Sequence, residues 1–278
     1  MKTTYPALDV SVTLNDGRRM PQLGLGVYQS EPGPAARQAV KWALEAGYRH
    51  IDTAKRYDNE SDVGEALRES GLPRESVFVT TKLWNDDQGY EPALKAFEAS
   101  RKRLGLEYVD LYLLHWPVPG KRLDSWSALR TLQREGRVRS IGVSNFLERH
   151  LSELIEDSGV VPAVNQVEFS PFLHQKGLLE FCRSRGIVLE SYGPLTQGLR
   201  LSHPAVADTA ARLGRTPAQV MLRWAVQHGI VVIPKSVRRE RIEENSRLFD
   251  FSIPPADMRR LDGLDEGLHT EWDPKDVP

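Results

Sequence analysis

Gly47-Tyr-Arg-His-Ile-Asp-Thr-Ala-Lys-Arg-Tyr57 is an extended run that ends in a carboxylate, Asp52, and carries a phenol, Tyr57, five residues further on. The next two strand-like runs, residues 77–82 and 109–115, also end in chemically useful side chains, Lys82 and His115. Working outward, eight short β-rich runs alternate with amphipathic helical patterns: 22–26, 48–52, 77–82, 109–115, 140–143, 164–168, 187–191 and 230–234. Their ends fall 23 to 43 residues apart, which fits one crossover helix per gap and an additional helix, 217–227, in the last. Runs such as Val109-Asp-Leu-Tyr-Leu-Leu114 and Ile230-Val-Val-Ile233 are nearly continuously apolar, as strands covered on both faces must be. The pattern predicts an α/β fold, a closed parallel (β/α)8 TIM barrel, with an open doubly wound sheet as the alternative. The barrel is preferred because Asp52, Lys82 and His115 then end consecutive strands, and the carboxyl-terminal rim of a barrel is where active sites are built.

The intervening patterns have helical spacing. Leu94, Phe97 and Leu104 share one face, as do Leu151, Leu154 and Ile155. Pro32 and Pro34 suit a first turn, Gly47, Gly71, Gly136 and Gly186 follow helical runs, and Asp124-Ser125 reads as an N-cap. Ahead of the first unit, residues 10–14 and 18–20 flank Asn15-Asp16-Gly17, whose Asp-Gly step supplies the positive φ of a tight hairpin. One more helical pattern, 255–264, precedes an irregular end. No linker-like shift of composition interrupts the chain, so one domain over residues 1–278 is expected.

With 37 basic against 38 acidic residues the net charge is −1, so no general field favours nucleic acid or anionic lipid, and an anion site must be local. The single cysteine, Cys182, excludes an internal disulfide, the first ten residues lack the apolar run of a secretion signal, and no segment approaches 18 consecutive apolar residues. A cytoplasmic protein without a membrane span is expected. The seven histidines show no close pair at metal-ligand spacing, and no Gly-x-Ser-x-Gly elbow occurs, so neither a metal site nor a serine hydrolase is expected.

The four rim residues have complementary chemistry. A tyrosine that exchanges a proton near neutral pH needs a neighbour favouring its phenolate, and Lys82 on the adjacent strand end is placed for this. Asp52 holds the lysine charged, and a neutral His115 donates a hydrogen bond to a substrate oxygen. Such a set suits protonation of an oxygen that acquires charge when hydride adds to a carbonyl. Lys82 as the nucleophile of a Schiff-base lyase is a second reading, and a cofactor-holding sensor with slow turnover is a third.

Asp52-Thr-Ala-Lys-Arg-Tyr57, Thr81-Lys82-Leu-Trp84, Leu114-His115-Trp-Pro117, Ile141-Gly-Val-Ser-Asn-Phe146, Asn165-Gln166-Val-Glu168 and Ile233-Pro-Lys-Ser236 followed by Arg241-Ile-Glu-Glu-Asn245 resemble, in order and over nearly the whole chain, the motifs of the aldo-keto reductases. The nearest likeness is to bacterial 2,5-diketo-gluconic acid reductases. The resemblance implies a catalytic tetrad of Asp52, Tyr57, Lys82 and His115, with Tyr57 as general acid. It implies NADPH (NADP+) bound without a Rossmann domain, and Gly24-Leu-Gly26-Val-Tyr-Gln29 agrees, having glutamine where the dinucleotide fingerprint wants its third glycine.

It further implies that Ser144, Asn145 and Gln166 bond the nicotinamide carboxamide, that Tyr192, followed by Gly193, stacks on the ring, and that Leu195 and Gln197 line the pyrophosphate. Glu244 and Asn245 match adenine contacts. Lys235, Ser236, Val237, Arg238 and Arg241 cluster at a helix start, where amides and guanidinium groups favour a 2′-phosphate dianion over a hydroxyl. Tyr28, Trp84 and Trp116 match the walls of a carbonyl pocket that also holds His115, with Trp272 placed to close it. The expected partner is a small-molecule carbonyl substrate, and the expected state a monomer.

Overall fold

The computed structural model describes residues 8–278; most of the amino-terminal stretch considered above as a possible secretion signal lies outside them. A hairpin comes first, β1 (Ser11–Thr13) against β2 (Arg19–Pro21), with Val12 opposite Met20 and Gly17 at φ 83° in the turn. Eight parallel strands follow in unbroken neighbour order: β3 (Leu25–Gly26), β4 (His50–Asp52), β5 (Phe78–Leu83), β6 (Val109–Leu114), β7 (Val138–Ser144), β8 (Val164–Glu168), β9 (Val188–Tyr192) and β10 (Val231–Val232). The expected barrel is therefore present, most strand ends lying within two residues of the sequence expectation.

Around it run α1 (Pro34–Glu45), α2 (Glu60–Ser70), α3 (Tyr90–Leu104), α4 (Arg122–Arg134), α5 (Glu148–Ser158), α6 (Lys176–Ser184), α7 (Pro204–Leu213), α8 (Pro217–Gln227), α9 (Arg239–Ser246) and α10 (Pro255–Asp262). The last gap holds two helices before β10, α7 and α8, where the sequence suggested one beyond the usual crossover. Asp124-Ser125 is not the cap of α4. That helix starts at Arg122, whose guanidinium is held by the Pro117 carbonyl, and Ser125 Oγ bonds back to the Lys121 carbonyl at 2.8 Å from inside the first turn.

The first and last strands are shorter than expected because the seam between them is thin. Leu23 bridges Val232 and Gly26 bridges Lys235, supported by Gly24 N to the Val232 carbonyl (2.9 Å) and Gly26 N to the Pro234 carbonyl (3.3 Å). Pro234 has no N–H to continue the ladder. A Cβ on Gly24 would lie 2.6 Å from His50 Nδ1, and one on Gly26 2.8 Å from the Ile233 carbonyl oxygen. These glycines belong to barrel closure, which accounts for the false dinucleotide fingerprint.

Side chains alternate along each strand between the helices and the barrel interior. The interior is apolar at the amino-terminal end, where Phe78, Leu111, Leu113, Val164 and Val231 pack against Leu14 and Met20 of the hairpin, which plugs that end. Two residues further along the same inward faces the chemistry changes: Phe78 gives way to Thr80 and Lys82, Leu113 to His115, Val164 to Gln166, and Val188 to Glu190. The alternation that fills the floor of the barrel thus delivers polar groups to its rim.

Candidate active site

Lys82, on β5, is fully buried, and its Nζ commits all three donors: to Asp52 Oδ1 at 2.6 Å, the Thr53 carbonyl at 3.0 Å and Tyr57 Oη at 3.2 Å. Asp52 ends β4, and the chain leaves it through a short 3₁₀ turn, Lys55–Tyr57, that brings the phenol back over the lysine. His115 follows the last residue of β6; its ring lies edge-on to Tyr57 (5.7 Å between centroids) and to Trp84 (5.1 Å). The four residues expected to act together are therefore adjacent.

Their electrostatics differ in one respect from the expectation. Burial, with Asp52 and other nearby charges in the same direction, raises the Tyr57 phenol well above its ordinary value, so it stays protonated despite the lysine beside it. Burial, reinforced by Lys82 and Arg56, holds His115 well below the usual imidazole range, so it is neutral at physiological pH. Burial also raises Asp52, against the opposing pull of Lys82 and of its hydrogen bonds to Lys82 and Gln166. An acid that keeps its proton until an oxygen beside it needs one, next to a neutral hydrogen-bond donor, suits reduction more directly than a preformed phenolate.

Asp52, Tyr57 and His115 open onto a cavity of about 900 Å³, which continues past Tyr192 to a basic cluster at the start of α9. All of the expected cofactor and substrate residues line it, from Tyr28, Trp84 and Trp116 at the tetrad end to Arg241, Glu244 and Asn245 at the other. Lys82 alone of the expected site residues does not. With no exposed surface and no spare donor, it cannot meet a carbonyl carbon as the lyase reading requires.

A family model of the Aldo/keto reductase family matches residues 22–266. The chain belongs to that family. It is 50% identical over 266 residues to the 9,11-endoperoxide prostaglandin H2 reductase of Trypanosoma cruzi, covering 95% of this chain and 94% of the relative. It is 48% identical over 260 residues to the glyoxal reductase of Bacillus subtilis, covering 94% of each. Among solved structures, a mutant of Gox0644 in complex with NADPH superposes with a TM-score of 0.92 at 42% identity, covering 97% of this chain and 98% of that one.

In this aldo-keto reductase the middle of the cavity is ordered by side-chain amides. Asn145, with φ of 64°, directs Nδ2 to the His115 carbonyl (3.0 Å) and accepts from Tyr192 Oη (2.7 Å); Ser144 Oγ bonds the Gln166 carbonyl (2.8 Å). Gln29, Asn145 and Gln197, three of the five described non-glycine residues with positive φ, lie on the cavity wall, the placement expected of strain retained for function. Gln166 Nε2 is taken by two carboxylates, Asp52 Oδ2 (2.8 Å) and Glu190 Oε2 (2.7 Å), which fixes the amide and leaves its oxygen as the group able to accept from a ligand. Gln197 Nε2 does not point free toward a pyrophosphate. It ties the loop after β9 to the carboxyl-terminal segment, through Glu271 Oε1 (2.9 Å) and the Thr270 carbonyl (3.2 Å). Trp272 lies on the cavity wall with its ring 4.5 Å from that of Trp116.

Lys235, Arg238 and Arg241 line the cavity and form no ion pair among the described residues, although lysine– and arginine–carboxylate pairs are common elsewhere among them. Three cations left without acids at one end of a cavity are a receptor for an anion.

Two further residues bear on the site, Arg56 on the cavity wall and Glu190 buried behind it. Arg56 sits inside the quoted motif, its guanidinium 5.4 Å over the Trp84 ring and without an acidic partner among the described residues. Glu190 interrupts an otherwise apolar strand, and that interruption was the available signal. Among the described residues, His174, His228 and Asp262 lie close enough to share a metal ion, although they come from three separate segments outside the cavity and so show no ligand spacing in the sequence; there Asp262 Oδ1 already meets Trp224 Nε1 (2.7 Å) and His228 Nε2 (2.8 Å).

Proposed function

We propose that this aldo-keto reductase reduces aldehyde and ketone carbonyls to alcohols with NADPH, Tyr57 giving the proton to the substrate oxygen. The observation that carries this reading is the three-way bonding of Lys82 Nζ to Asp52, Thr53 and Tyr57 under the cavity floor. The wall also suits NADPH: an aromatic ring and fixed amides stand near the tetrad, and unpaired cations stand at the far end, where a 2′-phosphate needs them. When bound, NADPH supplies the hydride.

The chain's residues do the rest. His115, held neutral, orients the carbonyl oxygen by a hydrogen bond. As charge develops on that oxygen, the Tyr57 proton moves to it, and the Lys82 N–H already on the phenol oxygen stabilises the phenolate left behind. Asp52 keeps the lysine charged and aimed, while Tyr28, Trp84 and Trp116 limit water at the reacting carbon.

Within the substrate range of small aldehydes, keto-sugars and keto-sugar acids, the unpaired Arg56 favours members that carry a carboxylate. The likeness of the motifs to 2,5-diketo-gluconic acid reductases points the same way. Loss of reduced-nicotinamide absorbance with a panel of such carbonyl compounds tests the proposal. Consumption with several of them is expected; NADPH binding without consumption by any would favour the sensor reading, against which the complete tetrad speaks.

A further inference from the structure

Behind Asp52 the barrel interior holds a second carboxylate that the chemistry above does not use. Glu190, on β9, is fully buried. Its Oε2 accepts from Gln166 Nε2 at 2.7 Å, and the same nitrogen gives its other hydrogen to Asp52 Oδ2 at 2.8 Å. Asp52 Oδ1 holds Lys82 at 2.6 Å, and Lys82 reaches Tyr57 Oη at 3.2 Å. One continuous line of hydrogen bonds therefore runs from Glu190 to the phenol.

The charges along this line do not cancel if every group is ionised. Two carboxylates face one ammonium in the barrel interior, and an unmatched buried charge is expensive. The titratable groups packed about Glu190 are Asp52 and His50 from β4, Lys82 from β5 and Tyr57 beyond it. Burial, with Lys82 in the same direction, holds His50 down to about 3, so the imidazole brings no positive charge. Lys82 touches Asp52 and not Glu190, so the extra proton belongs on Glu190. Its Oε1 has no hydrogen-bond partner and no cation beside it: the nearest basic group, His50 Nε2 at 3.5 Å, is already hydrogen-bonded with Thr80 Oγ1 at 3.2 Å. Burial first, then the Asp52 charge, pushes the Glu190 carboxyl up to about 8, against the smaller opposing effects of Gln166 and Lys82.

We propose that Glu190 is a positioning residue: kept neutral by its own proton and tied to Asp52 through Gln166, it leaves the Lys82–Tyr57 pair competent to donate. With Glu190 neutral, Asp52 and Lys82 balance and Tyr57 parts with its proton into an uncharged surrounding. With Glu190 ionised, the interior gains a negative charge and phenolate formation is opposed, so reduction slows as the pH rises through the Glu190 transition. This rests on the reading of Tyr57 as the proton donor.

The test pairs kinetics with stability for Glu190→Gln, which keeps the shape and removes the titration. In the wild type, kcat for reduction should fall on the alkaline side with an apparent pKa near 8. In Glu190→Gln that limb should disappear or move up by about one unit or more, with KM for NADPH unchanged. The stability readout follows from linkage. A carboxyl raised to about 8 from its ordinary value of 4.5 contributes stability that is full below the lower value and is lost as the pH rises to the upper one. The variant's unfolding free energy should therefore fall less steeply with pH over that window, by about one proton.

An unchanged stability slope would overturn the protonation of Glu190, and a lost slope with an unaltered kcat profile would overturn its link to Tyr57. Should the variant not fold, infrared titration of the wild type decides: the band of a buried carboxylic acid should vanish in step with kcat, and a band that does not follow kcat refutes the proposal. Failure of the underlying reading is separable, because a fully active Tyr57→Phe removes the proton donor and leaves the stability slope of Glu190→Gln as predicted.

Discussion

The two ends of the barrel interior are made by the same strands with the same alternation, yet they behave oppositely. At the amino-terminal end Leu14, Met20, Phe78, Leu111 and Val231 form a dry apolar plug with little to offer but packing. One or two inward positions further on, Asp52, Lys82, Gln166 and Glu190 are as completely buried and are held by hydrogen bonds in place of contact. The first arrangement stabilises the fold outright. The second takes charge out of water, a cost offset only while every partner is present. The division follows the general rule that barrel stability sits at one face and chemistry at the other.

The largest stability effects come from breaking either end, and they should differ in kind. Lys82→Met leaves Asp52 buried without its cation and should cost about 3–5 kcal/mol in denaturant unfolding, together with nearly all activity. Adding Asp52→Asn should restore most of that stability and none of the turnover, since a neutral pair needs no compensation. Leu111→Ala, at the plug, should cost about 2–5 kcal/mol while folded molecules keep the wild-type kcat. A loss of turnover in Leu111→Ala, at temperatures where it is folded, would blur the division.

Smaller effects sharpen the contrast along the cavity itself. Arg241→Ala should raise the Michaelis constant for NADPH by about tenfold or more while changing that for NADH little, because only the former carries a phosphate for the guanidinium. Equal changes would remove the phosphate assignment. Arg56→Gln should lower kcat/KM for carboxylate-bearing carbonyls by several-fold, on the order of 1 kcal/mol for an exposed charge, and leave neutral aldehydes nearly untouched. Steady-state comparison of a keto acid with its ester would measure it.

Much of the fold and the site is legible in the sequence for a physical reason. Parallel strands covered on both faces are nearly continuous apolar runs, and a residue that ends such a run is carried to the rim, which is how Asp52, Lys82 and His115 declare themselves. What stays hidden depends on distances that spacing does not encode. The seam at Gly24 and Gly26 is a matter of backbones approaching too closely for a Cβ, and in the sequence it looks like two ordinary strands. The additional helix before β10 is legible as 217–227 and is found there, whereas the start of α4 is displaced from Asp124-Ser125 to Arg122, whose guanidinium is held by the Pro117 carbonyl ahead of the helix. Tyr57 is protonated as a general acid must be, but its phenol is shifted upward and not downward as Lys82 alone suggests, because the lysine is visible as a neighbour in the sequence and the burial of the phenol is not.

Carbonyl reduction at the polar end requires the Tyr57 phenol to be the acid. The most direct measurement is the single-turnover rate of NADPH-loaded Tyr57→Phe with a saturating carbonyl substrate, alongside its NADPH dissociation constant. The rate should fall by about 10²–10⁴-fold with cofactor affinity unchanged, since the hydroxyl that bonds Lys82 is removed while the ring against His115 remains. A rate near that of the wild type would contradict the assignment of Tyr57 as proton donor.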